Sequence, residues 1–312
     1  MDSVAPRRAP LAIRAAATIV RRLPFGRHRA ALAISRSVRE PFWAELPARF
    51  GSLAFRCDLR DGLMRDAYLT GRYEPQETAI LQDLVKPGMT VVDVGANWGY
   101  FTLLAAHLTG PSGRIVCIEA DPTAVDAIRA NVAANRLATV QIVGVAASDA
   151  PRALHFARYE PDRASASGNY GIAETATADA GADAIVVAGR PLDDVLDEAS
   201  VGHVDVLKMD IEGGEAAALR GLTRSFAARR IDRIILELHP AALTALGSSV
   251  DAVCDLLRDA GFLGWAIDHS LDSHRRAAAA TVDVDALLSP LASTSRLGAW
   301  PHVLWRRAGV VR

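Results

Sequence analysis

Two rhythms run along the chain. Short runs rich in Val and Ile recur at 91–94, 114–118, 140–145, 204–209 and 233–238, each closing on or near an acid. Between them lie stretches with helical spacing. Gln76 to Val85 puts Leu81, Leu84 and Val85 on one face and is stopped by Lys86-Pro87-Gly88. Pro122 to Asn135 carries its proline near the first turn, where a missing N–H costs nothing. Shorter helices are expected from Pro191 to Leu196 and from about Gly214 to Gly221, and a longer one from Val250 to Ala260, closed by Gly261. Leu263 to Ile267 and His302 to Trp305 supply two further strands across a long polar stretch at about 270–300. Residues 49–60 alternate polar and apolar and suggest a strand ahead of the repeat. The stretch 151–189 breaks the rhythm and reads as a hairpin plus a flexible insertion. Strands alternating with helices predict an α/β fold: a doubly wound, mostly parallel seven-stranded sheet with an antiparallel last strand and an N-terminal extension.

Composition narrows the class. At 312 residues, 50% hydrophobic and 23% charged, the chain has a real core and room for one large domain plus an extension. A formal net charge of -1 offers no global case for nucleic acid. Residues 1–60 hold 12 Arg against 4 acids, but the chain has only two lysines, Lys86 and Lys208. The Arg surplus is therefore partly a compositional habit. Cys57, Cys117 and Cys254 lie far apart with no metal-ligand spacing and read as core residues in a reducing compartment. Leu11 to Val20 follows Arg7 and Arg8 in the manner of a signal peptide, yet Arg14 interrupts it and no small-residue cleavage pattern follows. No run approaches a membrane span, and a cytoplasmic protein is expected.

The chemistry concentrates at strand ends. Val91-Val92-Asp93-Val94-Gly95-Ala96-Asn97-Trp98-Gly99-Tyr100 is strand, glycine turn and helix, where a nucleotide-like ligand sits in an open α/β sheet. Glu119 ends the next strand and can accept two hydrogen bonds from a ribose diol; the blander reading is a helix-capping acid, a place Asp121 already fills. Asp149, after the third strand, falls where an adenine amino group would be met, or closes an Asx turn. Asp210, Glu212 and Glu215 put three carboxylates within six residues, which repel unless something positive is near. Lys208, a metal ion or a cationic sulfonium could be that partner. Alternatively, Glu212 and Glu215 are the favourable acids of a helix first turn. Glu237 and His239 share a face at the end of the fifth strand and make a plausible base pair for removing a hydroxyl proton. The remaining histidines, His269 and His302 among them, receive no role.

Asp93-Val94-Gly95-Ala96-Asn97-Trp98-Gly99 resembles the S-adenosylmethionine-binding motif of class I methyltransferases. Together with Gly71-Arg72-Tyr73-Glu74, Lys208-Met209-Asp210-Ile211-Glu212-Gly213-Gly214-Glu215 and Glu237-Leu238-His239, it makes the chain similar to the FkbM methyltransferases from about residue 66 onward. Residues 1–65 stand outside the resemblance as an Arg/Ala-rich extension, with residues 66–312 as the methyltransferase domain. The resemblance implies a Rossmann-like sheet and methyl transfer from S-adenosylmethionine to a hydroxyl oxygen of a small molecule such as a sugar or polyketide. It implies that Asp93, Gly95, Asn97 and Gly99 hold the methionine end of the cofactor, with Ala96 in the same turn, and that Glu119 holds the ribose. Lys208, Asp210, Glu212, Glu237 and His239 match the motifs that face substrate.

The expected mechanism has His239, oriented by Glu237, as base, with Asp210 as its competitor and Lys208 steadying the carboxylates. Glu212 and Glu215 are expected near the substrate. No metal is expected, a divalent ion on Asp210, Glu212 and Glu237 being the lesser alternative. Two rivals stand: a nicotinamide-dependent oxidoreductase, against which the absence of GxGxxG spacing speaks, and a catalytically inactive partner protein of the same fold.

Overall fold

The computed structural model describes residues 8–23, 25–159, 171–174, 184–278, 282–298 and 300–310. In chain order its strands are β1 (Phe42–Glu45), β2 (Ala54–Cys57), β3 (Thr90–Val94), β4 (Arg114–Glu119), β5 (Val140–Gly144), β6 (Ala146–Ser148) and β7 (Arg152–Tyr159), followed by β8 (Gly171–Glu174), β9 (Ala184–Pro191), β10 (Val204–Met209), β11 (Ile231–Glu237), β12 (Phe262–Ile267), β13 (Leu288–Pro290) and β14 (His302–Arg307). The main sheet runs β13-β12-β14-β11-β10-β3-β4-β5. From β11 to β5 every neighbouring pair is parallel, whereas β14 is antiparallel to both β11 and β12. All seven expected strands are present and the last is antiparallel. The eighth, β13, is three residues at the edge, inside the stretch read as polar connection; Leu-Ser-Pro is too short to show a period.

The parallel strands are nearly continuous apolar runs because helices cover both faces of the sheet. Side-chain parity divides them between two cores. Val92, Val94, Val116, Ile118, Leu207 and Met209 face one layer; Val91, Ile115, Val206 and Ile235 face the other. Cys57, Cys117 and Cys254 are free and buried, as expected. The chain leaves β3 outward through β4 and β5, then returns to β10 on its other side. That reversal opens a crevice beyond the carboxyl ends of β3 and β10, the place where such sheets take ligands.

The region expected to break the rhythm forms a second sheet, β6-β9-β7-β8, in which β7 is antiparallel to β8 and β9. Residues 160–170 and 175–183 of the expected insertion lie outside the described residues. No described helix is long and apolar enough to cross a membrane.

Residues ahead of the repeat share its core. Phe55 of β2 stacks on Trp98 at 4.9 Å, and Ala17, Val20 and Phe42 join the same buried cluster as Leu103 and Leu104. Two of the N-terminal arginines hold backbone: Arg21 donates to the Tyr68 carbonyl and Arg49 to that of Gly71. Asn131, fully buried on the helix Pro122–Ala134, accepts from the Arg56 N–H at 2.8 Å and donates to the Trp98 carbonyl at 2.9 Å. One amide thus ties β2 to the glycine turn after β3. Asn131→Ala leaves both backbone groups unpaired and is expected to cost about 2–4 kcal/mol, read as a lower urea midpoint at unchanged m-value. A loss under about 1 kcal/mol would show that the tie is dispensable.

Candidate active site

The site begins where β3 turns. Gly95 has φ +79°, and a Cβ there would lie 1.8 Å from the backbone oxygen of Asp210. Only glycine lets the turn rest against the end of β10. Asn97 also has positive φ, +52°, which aims its N–H at Glu119 Oε2 across 2.7 Å. The Asp121 N–H reaches Oε1 of the same carboxylate, also at 2.7 Å. Glu119 therefore clasps the turns that follow β3 and β4. Burial pushes its pKa up to about 7, against the pull of these backbone donors. Asp121 itself caps the next helix by accepting the Thr123 N–H.

Beyond these strand ends lies a cavity lined by eight of the expected site residues: Gly95, Ala96, Asn97, Glu119, Lys208, Asp210, Glu212 and Glu237. Trp98, Phe156 of β7, Tyr73 and Glu74 also line it. Five expected residues stand elsewhere. Asp93 is buried beneath the turn, where it accepts a 2.6 Å hydrogen bond from the Thr102 hydroxyl. Gly99 precedes the helix Tyr100–Thr109 and faces Ile128. Asp149 is turned away by two arginines, Arg152 and Arg220, which hold its carboxylate below the usual range once partial burial is offset. It does not line the cavity, whereas Ala146, Ala147 and Phe156 do. Glu215 and His239 are the remaining two.

His239 is 4% exposed. Its Nδ1 lies 2.7 Å from Glu215 Oε1, and the other face of the ring meets three carboxylates: Glu212 at 3.5 Å, Glu237 at 3.6 Å and Asp210 at 3.8 Å from Nε2. Glu215, not Glu237, orients the imidazole. This corrects the sequence expectation, as does the place of Glu215, which is fully buried, accepts the Gly213 N–H and cannot meet a substrate. Burial would lower the His239 pKa, but Glu215 and the carboxylates around it raise it instead. The ring gathers four acids around it.

Lys208 does the same on the other side of Asp210. Its ammonium is 3.4 Å from Asp210 Oδ2 and 4.4 Å from the centre of the Phe101 ring. Burial alone would lower its pKa; Asp210, Glu74, Asp93 and Glu237 raise it. Glu237, buried and close to Asp210 and Glu74, is pushed up to about 10. Burial likewise raises Glu74 to about 7. Glu74 was visible in sequence only as part of the Gly-Arg-Tyr-Glu motif. It sits at φ +37°, a strained backbone for a glutamate, just ahead of the helix Pro75–Leu84. The strain carries its carboxyl group into the cavity, and no spacing rule announces that.

The sequence signature of the methyltransferase FkbM domain matches residues 93–263. The chain is 31% identical over 211 residues to the AMB antimetabolite synthetase AmbE of Pseudomonas aeruginosa, covering 57% of this chain and 10% of that protein. It is 28% identical over 201 residues to the 31-O-demethyl-FK506 methyltransferase FkbM of Streptomyces tacrolimicus, covering 57% of this chain and 74% of that one. The chain thus spans a tenth of the first relative and about three quarters of the second. Among solved structures, the methyltransferase FkbM of Methylobacillus flagellatus superposes with a TM-score of 0.39 at 16% identity, over 79% of this chain and 55% of that one.

The donor of such enzymes is S-adenosylmethionine, and the residues present fit it. A glycine turn leaves backbone open for close approach, Glu119 presents a buried carboxylate at the end of β4, and a carboxylate-rich floor suits a sulfonium. Gly95→Ala should be among the worst single changes, because the new methyl overlaps backbone rather than a movable side chain. A loss of about 3 kcal/mol or more is expected in urea unfolding. A variant as stable as the parent would show that the turn can leave β10 freely.

Proposed function

The chain belongs to the methyltransferase FkbM domain family, and on that premise we propose that it moves a methyl group from S-adenosylmethionine to a hydroxyl oxygen of a small molecule. The observation that carries the reading is the juxtaposition of a ribose-type acid, Glu119, with an acid floor, Asp210 and Glu237, in one cavity. The relative that acts on 31-O-demethyl-FK506 supports oxygen as the acceptor atom.

The donor supplies an electrophilic methyl, and the protein has to bind, align and deprotonate. The turn Gly95–Asn97 would hold the methionine end and Glu119 the ribose hydroxyls. Ala146, Ala147 and Phe156 give the adenine an apolar wall. Alignment of oxygen with methyl contributes several kcal/mol by making the step effectively intramolecular. A hydroxyl is a weak nucleophile, so its proton has to leave as the bond forms. Asp210 is the better base, because it lines the cavity while His239 does not. His239 and Lys208 then hold Asp210 from two sides, at 3.8 and 3.4 Å.

Two outcomes test the reading. Calorimetric titration should give micromolar binding of S-adenosylmethionine and S-adenosylhomocysteine, weakened by Glu119→Ala; binding of NADH alone would return the oxidoreductase. The affinity should also depend on pH with a definite sign. Glu119 is protonated in the free protein below about pH 7, and the ionised form accepts from the ribose. Affinity therefore rises by roughly tenfold between about pH 6 and 8, with proton release on binding visible in buffers of different ionisation heat. Glu119→Gln should show a shallower slope, and an equal slope would remove Glu119 from the ribose.

With an acceptor found by screening sugar and polyketide hydroxyls, Asp210→Asn should lower turnover by about 10²-fold or more. His239→Gln should act through Asp210 and leave a pH–rate profile shifted but not abolished. The reverse ranking would restore His239 as the base.

A further inference from the structure

Outside the cavity, three residues far apart in sequence meet beside Glu237 of its floor. Glu77 comes from the helix Pro75–Leu84, His269 follows β12, and His302 opens β14. His269 Nε2 lies 2.7 Å and His302 Nδ1 2.9 Å from the same oxygen, Glu77 Oε1. The two imidazoles stack with centroids 4.0 Å apart. Glu77 is 1% exposed, and its other oxygen, Oε2, is buried with no hydrogen-bond partner among the described residues.

That arrangement is poor as a hydrogen-bond network. Two rings crowd one carboxylate oxygen while the second is left dry, and an unmet buried acceptor costs about 1–3 kcal/mol. It is good as a ligand set. The geometry points to a site for a divalent cation of the zinc class, held by His269 Nε2, His302 Nδ1 and the Glu77 carboxylate, whose ligand atoms all lie within 4.8 Å of one another. Two imidazoles and a carboxylate are a three-ligand set that leaves a position open. Bonds of about 2.0–2.2 Å require the ligand atoms to spread to roughly 3.3 Å, an opening of about half an ångström. His269, in the connection between β12 and the helix Leu271–Ala277, is the ligand free to give, and at 35% side-chain exposure it opens the site to solvent.

The surroundings agree. Metal-bound imidazoles commonly direct their second nitrogen at a carboxylate, and His302 Nε2 faces Glu237 Oε1 at 3.5 Å. With Nδ1 on the ion, Nε2 carries the proton and points it at a residue of the cavity floor. Occupancy would thereby fix the position of Glu237. The other two His-acid groups are differently made. In Asp210–Glu237–His239, His239 Nδ1 is taken by Glu215, and Lys208 already supplies a cation. In His203–Asp205–Asp232, the histidine is exposed and Asp205 accepts the Thr90 N–H.

The test needs no acceptor substrate. Tag-free protein, stripped with a chelator, is titrated with Co2+ while visible absorption is followed, and then with Zn2+ by calorimetry. The expected result is one Co2+ per chain with the d–d bands of a four- or five-coordinate site, displaced by Zn2+. His269→Gln, at a partly exposed position, should weaken uptake at least about tenfold, and His302→Gln should do the same. S-adenosylmethionine binding on the same samples reports that each variant is folded and tests the donor site separately. Absence of saturable uptake in protein that still binds S-adenosylmethionine overturns the metal site, and so does equal uptake in His269→Gln.

Discussion

The buried ammonium of Lys208 is the interaction that the site is built around. It sits at the reversal of strand order, on β10 beside β3, with Asp210 at 3.4 Å and the face of Phe101 beneath it. A buried charge has to be paired, and the pairs set the geometry. Asp93, Glu74, Asp210 and Glu237 all raise its pKa, so each is close enough to feel it. They come from β3, from the residue before the helix Pro75–Leu84, from the end of β10 and from β11. One cation therefore holds together the ends of three adjacent strands and a helix entry. The same constraint explains why Gly95 is irreplaceable by geometry, since the turn above Asp93 must lie against Asp210 for that cluster to close.

Much of this was legible in the chain, for identifiable reasons. Parallel strands buried on both faces must be apolar runs, so β3, β4, β5, β10 and β11 announced themselves, and the acids at their ends marked the crevice. Eight of the expected site residues line the cavity because strand ends converge there by topology alone. Failures came where a partner lies on another element. His239 was paired with Glu237 by strand parity, yet the ring turns to Glu215, 24 residues away on the helix Glu215–Arg220. Asp149 had the right place after β5, but Arg220 from that same helix claims it. Glu74 depends on a positive φ, and His269 meets Glu77 across 192 residues. Contacts of that range leave no local period to read.

The N-terminal arginines show the same limit in another form. Counted along the chain they read as partly a compositional habit; in the fold, Arg21 and Arg49 hold the carbonyls of Tyr68 and Gly71. Those carbonyls bracket the segment that leads into Tyr73 and Glu74, both of which line the cavity. The extension is therefore coupled to the site through backbone, with Phe55 on Trp98 as a second route.

A charge argument connects the cavity to the proposed chemistry. Glu74, Glu119, Asp210, Glu212 and Glu237 line it with Lys208 as the facing cation. The carboxylates outnumber it, and burial raises the cost of ionising three of them: Glu119 and Glu74 stand near 7, Glu237 near 10. Such a cavity gains from a ligand that brings a positive charge, because that charge offsets the repulsion among the acids. It gains less from the same ligand once the methyl has left and the sulfonium has become a neutral thioether. Donor and spent donor are thus distinguished by the charge that the reaction removes. The proton taken from the acceptor restores neutrality on the carboxylate side at the same moment. In the proposed reaction, a cavity that begins with an ionised base and a cationic donor ends with a protonated acid and a neutral product.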